Sequence, residues 1–138
     1  MTEGIVEFDD WQKLDLRVGQ IIEVEDIEGA DKLYKIVIDV GSDTEDEKSS
    51  VPKTSERASA HETVKEVLGK RTVCAGLKQY YSKEDLMNKR VILFVNLTPR
   101  KMRGIESQGM ILAAVSDNES KVRLIQPDAE IEVGSRVM

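Results

Sequence analysis

The chain contains 138 residues, of which 40% are hydrophobic, with one cysteine and a formal net charge of −6. That length suits one domain, which would bury about two thirds of its unfolded surface. One cysteine excludes an intramolecular disulfide, and the sequence lacks an apolar leader, an apolar run of about 18 residues and a spaced set of metal ligands. We therefore predict a cytoplasmic protein with no membrane span, no metal and no cofactor.

The charges are unevenly distributed along the chain. Residues 1–47 contain 4 Lys or Arg against 15 Asp or Glu, whereas residues 86–105 contain five basic residues and no acidic one. A negative net charge normally argues against a nucleic-acid partner, because polyanions bind clustered cations. The basic stretch is either a solvated face that balances the acidic half or a polyanion site, and charge alone favours the solvated face.

The first predicted element is a short amphipathic helix over residues 7–14. Phe8, Trp11 and Leu14 recur at three-residue spacing, which places them on one face of a helix. We expect this face to cover one end of a sheet.

Two strands are predicted next. Residues 16–25 form a long strand with Ile22 and Val24 on its apolar face and a bulge or bend at Gly19. Residues 34–40 alternate apolar and polar side chains, which is typical of a strand with one buried face.

An insertion over residues 41–69 interrupts this series of predicted strands. Its first half is polar and predicted to be flexible, and a helix is predicted over residues 56–68. Residues 71–75 form the third strand, in which Cys74 is predicted as a small buried residue rather than a nucleophile.

The second half of the chain predicts one helical turn and more strands. Ser82 opens the turn through a loose capping box, with Asp in place of Glu or Gln. Apolar runs over residues 91–95 and 110–114 form strands four and five, and residues 121–125 pair back on strand five. Residues 116–138 form a C-terminal extension whose apolar positions predict that it packs on the barrel.

Strands four and five are separated by 14 residues, 96–109, which predicts a long loop. Connections of this length in compact domains are uncommon unless they are functional. The loop contains Arg100, Lys101 and Arg103. We therefore predict that it is the functional element of the chain.

Together these elements predict an all-β protein, a single domain over residues 1–138 built as a five-stranded OB-fold barrel with short helices. Ligands of this fold use the face of strands two and three and the loops between strands one and two and between strands four and five. Here those loops are residues 28–33 and 96–109.

Six segments of the sequence carry a family resemblance. They are residues 15–19 (DLRVG), 30–33 (ADKL), 75–77 (AGL), 95–97 (VNL), 99–110 (PRKMRGIESQGM) and 112–114 (LAA). The sequence resembles the tRNA-binding domain family, which includes free-standing dimeric tRNA-binding proteins and C-terminal or beta-subunit domains of methionyl-tRNA synthetases. The resemblance implies an OB-fold, a homodimer made by the C-terminal extension, and binding of tRNA by its structure.

The resemblance also implies a set of tRNA contacts. These residues are Lys32, Asn96, Arg100, Lys101, Arg103, Ser107 and Met110. Two departures affect this surface: Glu28 stands in the loop before Lys32, and the insertion over residues 41–69 is unusual for the family.

Elementary chemistry agrees with that set. Basic side chains neutralise phosphates, and polar ones such as Asn96 and Ser107 can bond to phosphate or ribose oxygens. Aromatic residues are scarce, which favours recognition of a folded RNA's shape over stacking of bases. Two alternatives stay open here: Met110 as core filler, and Asn96 as a cap of its own loop.

No set of residues for catalysis can be assembled, so we predict that the chain is not an enzyme. Two rivals to a tRNA-binding protein that acts alone are the beta subunit of a methionyl-tRNA synthetase with a separate catalytic chain, and a peptide-binding export chaperone on the same dimeric scaffold. Copurification with a catalytic subunit would support the former, and an apolar pocket near the dimer interface the latter.

Overall fold

The computed structural model describes residues 4–41 and 69–138, which form two short helices and ten strands. In chain order they are α1 (Phe8–Gln12), β1 (Leu16–Asp26), β2 (Tyr34–Asp39), β3 (Lys70–Ala75), α2 (Lys83–Leu86), β4 (Arg90–Phe94), β5 (Arg100–Met102), β6 (Ile105–Ser107), β7 (Met110–Ile111), β8 (Ala113–Val115), β9 (Val122–Leu124) and β10 (Arg136–Val137). The polar stretch and the helix predicted within the insertion lie outside the described residues.

One antiparallel sheet with the order β3-β2-β1-β4-β7 forms the body of the protein. Within this order the long strand β1 pairs with β4 through residues 16–20 and with β2 through residues 20–26. The pairing with β2 shifts register between Ile21 and Glu23. Ile21 is fully buried and Ile22 is not, so the prediction of Ile22 on the apolar face was wrong. Val24 packs against the core as predicted, and the irregularity lies beyond Gly19.

Side-chain and backbone hydrogen bonds bring the two ends of this sheet together. The Gln108 backbone N–H donates to the Thr72 carbonyl at 2.8 Å, and the Thr72 N–H donates to the Gln108 side-chain oxygen at 3.0 Å. The Cys74 N–H donates to the Ser107 hydroxyl oxygen at 3.0 Å. These contacts connect β3 to the chain before β7, so the sheet is a nearly closed barrel and the predicted OB-like fold is confirmed.

The interior of the barrel is an apolar cluster that we call the inner core. β2 contributes alternate buried residues, as predicted from its pattern, with Ile36 and Ile38 fully buried. Each fully buried side chain of this size contributes about 1.5–3 kcal/mol. α2 adds Leu86, and the Ser82 side chain caps α2 in a complete capping box with Asp85, which confirms the predicted turn.

A second cluster, the outer core, covers the other face of β1. Leu16 and Val18 pack there with Trp11 of α1 and Val137 of β10. β10 pairs with the start of β1, so the C-terminal extension packs on the barrel as predicted. Phe8 does not join this cluster, contrary to the predicted helical face, because it lies in the first turn of a five-residue helix and is 67% exposed.

The segment predicted as a long loop contains regular structure. β5 and β6 pair as a hairpin within residues 96–109, and residues 100–107 are called the ribbon below. The strand predicted over residues 110–114 is divided at Leu112, because β7 pairs with β4 and β8 pairs with β9.

Candidate nucleic-acid interface

The ribbon presents the predicted basic residues to solvent. Its turn consists of Arg103 and Gly104, whose φ angles are 53° and 80°. Two positive φ angles are what a two-residue hairpin turn needs to match the twist of its strands, and glycine adopts such an angle without strain. Arg100, Lys101 and Arg103 are all exposed, and Glu106 stands opposite Lys101. The ribbon is therefore a small cationic surface with one acidic residue.

A buried arginine holds the base of the ribbon. Arg71 of β3 is 8% exposed, and its Nη1 donates to the carbonyls of Val95 at 2.8 Å and Gln108 at 2.7 Å. These carbonyls belong to the two segments that flank the ribbon, because Val95 directly follows β4 and Gln108 directly follows β6. Burial lowers the pKa of the Arg71 guanidinium, while the nearby charge of Asp15 acts in the opposite direction.

The loop between β1 and β2 meets the tip of the ribbon. Gly29 has a φ of 80°, and a side chain there would begin 3.8 Å from Nη1 of Arg103. Lys32 is exposed in the same loop, and its carbonyl accepts a hydrogen bond from the Lys78 N–H at 3.3 Å. The structure therefore brings together the two predicted ligand loops. Glu28 is exposed in this loop as well.

Two further lysines stand beside this loop. Lys78 and Lys83 both contact Asp26 at the end of β1, at 3.1 Å and 2.8 Å. Their ammonium groups, Lys83 first, lower the pKa of Asp26, and Asp26 raises the pKa of Lys83 in return. Sequence reasoning missed these lysines because they follow β3, far along the chain from the loop that they flank.

Asn96 and Ser107 use their polar groups within the protein. The Asn96 side chain accepts from the Asp15 N–H at 2.8 Å and donates to the Lys13 carbonyl at 2.7 Å. Ser107 is 6% exposed, and its hydroxyl bridges the Cys74 N–H and the Gly109 carbonyl. Asn96 therefore ties the start of the connection that contains the ribbon to residues 13 and 15 rather than capping its own loop, and Ser107 ties the end of the ribbon to β3.

Met110 lies at the surface rather than in either core. It is 49% exposed and lines a groove of about 220 Å³. The other residues of this groove are Cys74, Ala75, Gly76, Leu77, Ile111 and Ala113. Burial raises the pKa of the Cys74 thiol, which keeps it protonated and weakly nucleophilic.

Residues 60–136 match the family model described as "Putative tRNA binding domain". The chain belongs to this family. The resemblance that the sequence motifs carry is thereby confirmed, and the ribbon is the segment with the longest motif. Within residues 4–41 and 69–138, no group of three or more His, Cys, Asp or Glu side chains could hold a metal ion.

Relatives of this domain include methionine–tRNA ligases. The ligase of Pyrococcus horikoshii is 46% identical over 132 residues, and that of Thermococcus onnurineus is 42% identical over 132 residues. Each alignment covers 96% of this chain and 14% of the ligase, so the chain spans about one seventh of these relatives.

Solved structures show the same fold. A MetRS-related protein from Pyrococcus horikoshii superposes with a TM-score of 0.75 at 29% identity, covering 99% of this chain and all of that one. A CsaA chaperone from Picrophilus torridus superposes with a TM-score of 0.71 at 27% identity, covering 97% of this chain and all of the chaperone. No helix among the described residues is long and apolar enough to cross a membrane.

Proposed function

We propose that this tRNA-binding domain binds the folded backbone of tRNA through the ribbon and the β1–β2 loop, and thereby assists aminoacylation. The observation that carries the proposal is the approach of Gly29 to the Arg103 guanidinium. The Cβ of any residue replacing Gly29 would lie 3.8 Å from Nη1 of Arg103. This approach joins the exposed cations of the ribbon with Lys32 in one surface. Family membership supplies the class of RNA.

The chemistry of this surface fits phosphates. Guanidinium and ammonium groups that neutralise phosphates release bound counterions, and this gives affinity without reading a base sequence. In this proposal Asn96 and Ser107 position the ribbon, since their polar groups are bonded within the protein. In this proposal the shape of the RNA, rather than its sequence, determines binding, because contacts to the phosphate backbone carry no sequence information.

The proposed partner besides tRNA is a methionyl-tRNA synthetase. In the relatives the matched segment is 14% of a methionine–tRNA ligase, so the domain accompanies a catalytic region there. We propose that this chain likewise works beside a synthetase catalytic unit in the cytoplasm and contributes RNA binding rather than catalysis. Whether the catalytic unit is a separate chain is decided by copurification from the native source.

We also propose a homodimer, in which α1 and the C-terminal extension meet their counterparts. Phe8 and Met138 are 67% and 90% exposed. They line a cavity of about 170 Å³ whose other residues are the apolar Trp11, Leu14 and Val137 and the polar Gln12 and Arg136. An apolar surface of this kind next to the outer core suits a second copy, because a monomer would leave it in water.

Filter binding with total tRNA tests the proposed function. We expect saturable binding that weakens steeply as salt rises, and weaker binding of a plain RNA duplex, because the duplex lacks the fold of tRNA. Equal binding of tRNA and duplex at all salt concentrations would contradict recognition of shape. A protein that binds neither would contradict the function itself.

A peptide-binding chaperone is the second candidate. The likeness to the CsaA chaperone and the apolar groove beside Met110 favour it. The exposed cations of the ribbon favour RNA, since an apolar peptide offers them no counter-charge. A binding assay with an extended apolar peptide separates the two, because the tRNA proposal expects no saturable binding of that peptide.

A further inference from the structure

A groove lies where the barrel wall opens. In the described part of the chain β3 and β7 stand at the two ends of the sheet path, and the bonds of Thr72 and Cys74 to Gln108 and Ser107 bridge only part of the gap. Beside this bridge lies the groove of about 220 Å³ between residues 74–77 and residues 110–113, here called the seam groove.

The side chains that line the seam groove are apolar and include two sulfur atoms, and backbone groups contribute polar surface. Met110 is 49% exposed at its edge, and Cys74 forms part of its wall. Thioethers are polarisable and make favourable contacts with aromatic rings. The volume is below the range of about 300–1,000 Å³ that is typical of sites for drug-sized ligands, so one flat ring system fits better than a larger molecule.

The seam groove adjoins cationic segments on two sides. On one side Ser107, which bonds to the Cys74 N–H, is paired with Arg100 across the ribbon. On the other side, a side chain built at Gly76 would begin 3.9 Å from the Lys32 carbonyl. The groove is therefore flanked by the backbone of two residues with exposed cationic side chains, Arg100 and Lys32, and a strand with one base in the groove would pass beside them.

We infer that the seam groove receives one unstacked nucleobase of the RNA whose phosphates the ribbon holds. The inference rests on the proposed function and names what the same site takes besides phosphate. A base that is already unpaired, in a loop or at an end, enters at the lowest cost because no stacking or pairing is lost. The charge beside the groove favours this occupant over the apolar side chain of a peptide.

Substitution of Met110 tests the inference. Met110→Ala should lower tRNA affinity about two- to tenfold, the effect of one lost sulfur–ring contact, without changing the salt slope. The slope stays constant because it counts phosphate contacts, which this variant keeps. Met87→Ala, which removes a 38% exposed methionine outside the groove, is the matched control and should bind as the parent does.

Alkylation of the only cysteine provides a second readout. N-ethylmaleimide at mildly alkaline pH should modify Cys74 more slowly when tRNA is bound, whereas polyphosphate, an anion without bases, should leave the rate unchanged. Cys74→Ala shows the background. Protection by polyphosphate equal to that by tRNA would overturn the inference, because covering of the surface by phosphates would then explain it.

The outcomes separate this inference from the function on which it rests. If tRNA binds with the expected salt dependence but Met110→Ala binds equally well and Cys74 stays reactive, the groove is not a base site and the proposed function stands. If an extended apolar peptide protects Cys74 and tRNA does not, the occupant is a peptide and the inference is wrong. Absence of tRNA binding to the parent protein contradicts the proposed function itself.

Discussion

The ribbon and the outer face of β1 belong to one small barrel but expose opposite kinds of surface. The ribbon exposes Arg100, Lys101 and Arg103, whereas the outer face exposes the apolar side chains of Phe8 and Met138. Exposed charges stay solvated and attract a polyanion, while exposed apolar groups gain stability only when another surface covers them. The contrast is the basis for proposing that RNA binds the ribbon and that a second copy covers the outer face.

The two regions are also held in different ways. Backbone pairing of β10 with β1 and apolar packing around Leu16 and Val18 fix the outer face. The ribbon is fixed at its base by Arg71 and by the side chains of Ser107 and Gln108. Charge on the ribbon and support below it can therefore be changed separately.

The largest expected effect comes from the triple variant Arg100→Ala, Lys101→Ala, Arg103→Ala. Each lost phosphate contact should remove about 0.7–0.9 from the slope of log affinity against log salt, so the slope should fall by roughly 2 to 3. If both proteins bind alike near 1 M salt, affinity at 0.15 M falls roughly 50- to 200-fold. The folding free energy should change by less than about 0.5 kcal/mol, because these side chains are exposed.

Filter binding across a salt series, with urea unfolding of the same samples, measures this prediction. The control is Lys121→Ala, which removes an exposed cation outside the ribbon. A folded triple variant with unaltered affinity and slope would show that the ribbon is only a solvated face.

Arg71 carries the next largest effect. Arg71→Met removes the donor shared by the Val95 and Gln108 carbonyls, so buried acceptors lose their partner. We expect a loss of about 1–3 kcal/mol in the free energy of unfolding by urea. The RNA affinity of the folded fraction should also fall, because the segments before and after the ribbon lose their shared hydrogen-bond donor. The control Arg123→Met replaces an exposed arginine and should change neither the stability nor the RNA affinity.

The outer face is tested by placing charges on it. Phe8→Glu combined with Met138→Glu should halve the mass found by sedimentation without unfolding the protein, because both side chains are exposed within one chain. Val115→Glu on β8, an exposed apolar residue away from α1, is the matched control and should leave the mass unchanged. A double variant that keeps the parent mass would refute the proposed dimer surface.

Local patterns in the sequence predicted much of the barrel and less of the site. The alternation in β2 and the capping box at Ser82 depend on near neighbours, and both were recovered. The register shift after Ile21 was missed because β2 determines it. The hairpin turn at Arg103 and Gly104 was also missed. The glycine indicates a turn only weakly, because Arg-Gly is not one of the dipeptides that strongly favour a two-residue hairpin.

The sequence did not predict the parts of the site that depend on contacts between residues far apart in the chain. Arg71 lies 24 residues from Val95 and 37 from Gln108, so no local pattern marks it as the support of the ribbon. The pairing of Asp26 with Lys78 and Lys83 is equally nonlocal. The basic residues of the ribbon were found because they are clustered within four positions.

The smallest expected effect concerns Asp26, whose carboxylate partly neutralises Lys78 and Lys83 beside the proposed RNA surface. Asp26→Asn should free both ammonium groups for phosphates, so that tRNA affinity rises about two- to fivefold, as for the loss of an exposed ion pair. The salt slope should steepen by up to about 1 to 2. Asp128→Asn removes the same charge from the C-terminal extension and should leave the slope unchanged.

The pH dependence of this ion pair follows from the lowered pKa of Asp26. A lowered pKa means that the folded state binds the proton less well, so the stabilisation is present above the ordinary aspartate pKa of about 3.9 and is lost as the pH falls through the lowered value. Near neutral pH the two lysines therefore stay paired, and acidification toward pH 4 should not release them. A parent protein whose tRNA affinity equals that of Asp26→Asn throughout this range would show that Asp26 does not compete with RNA for the lysines, and the cationic surface would then end at Lys32.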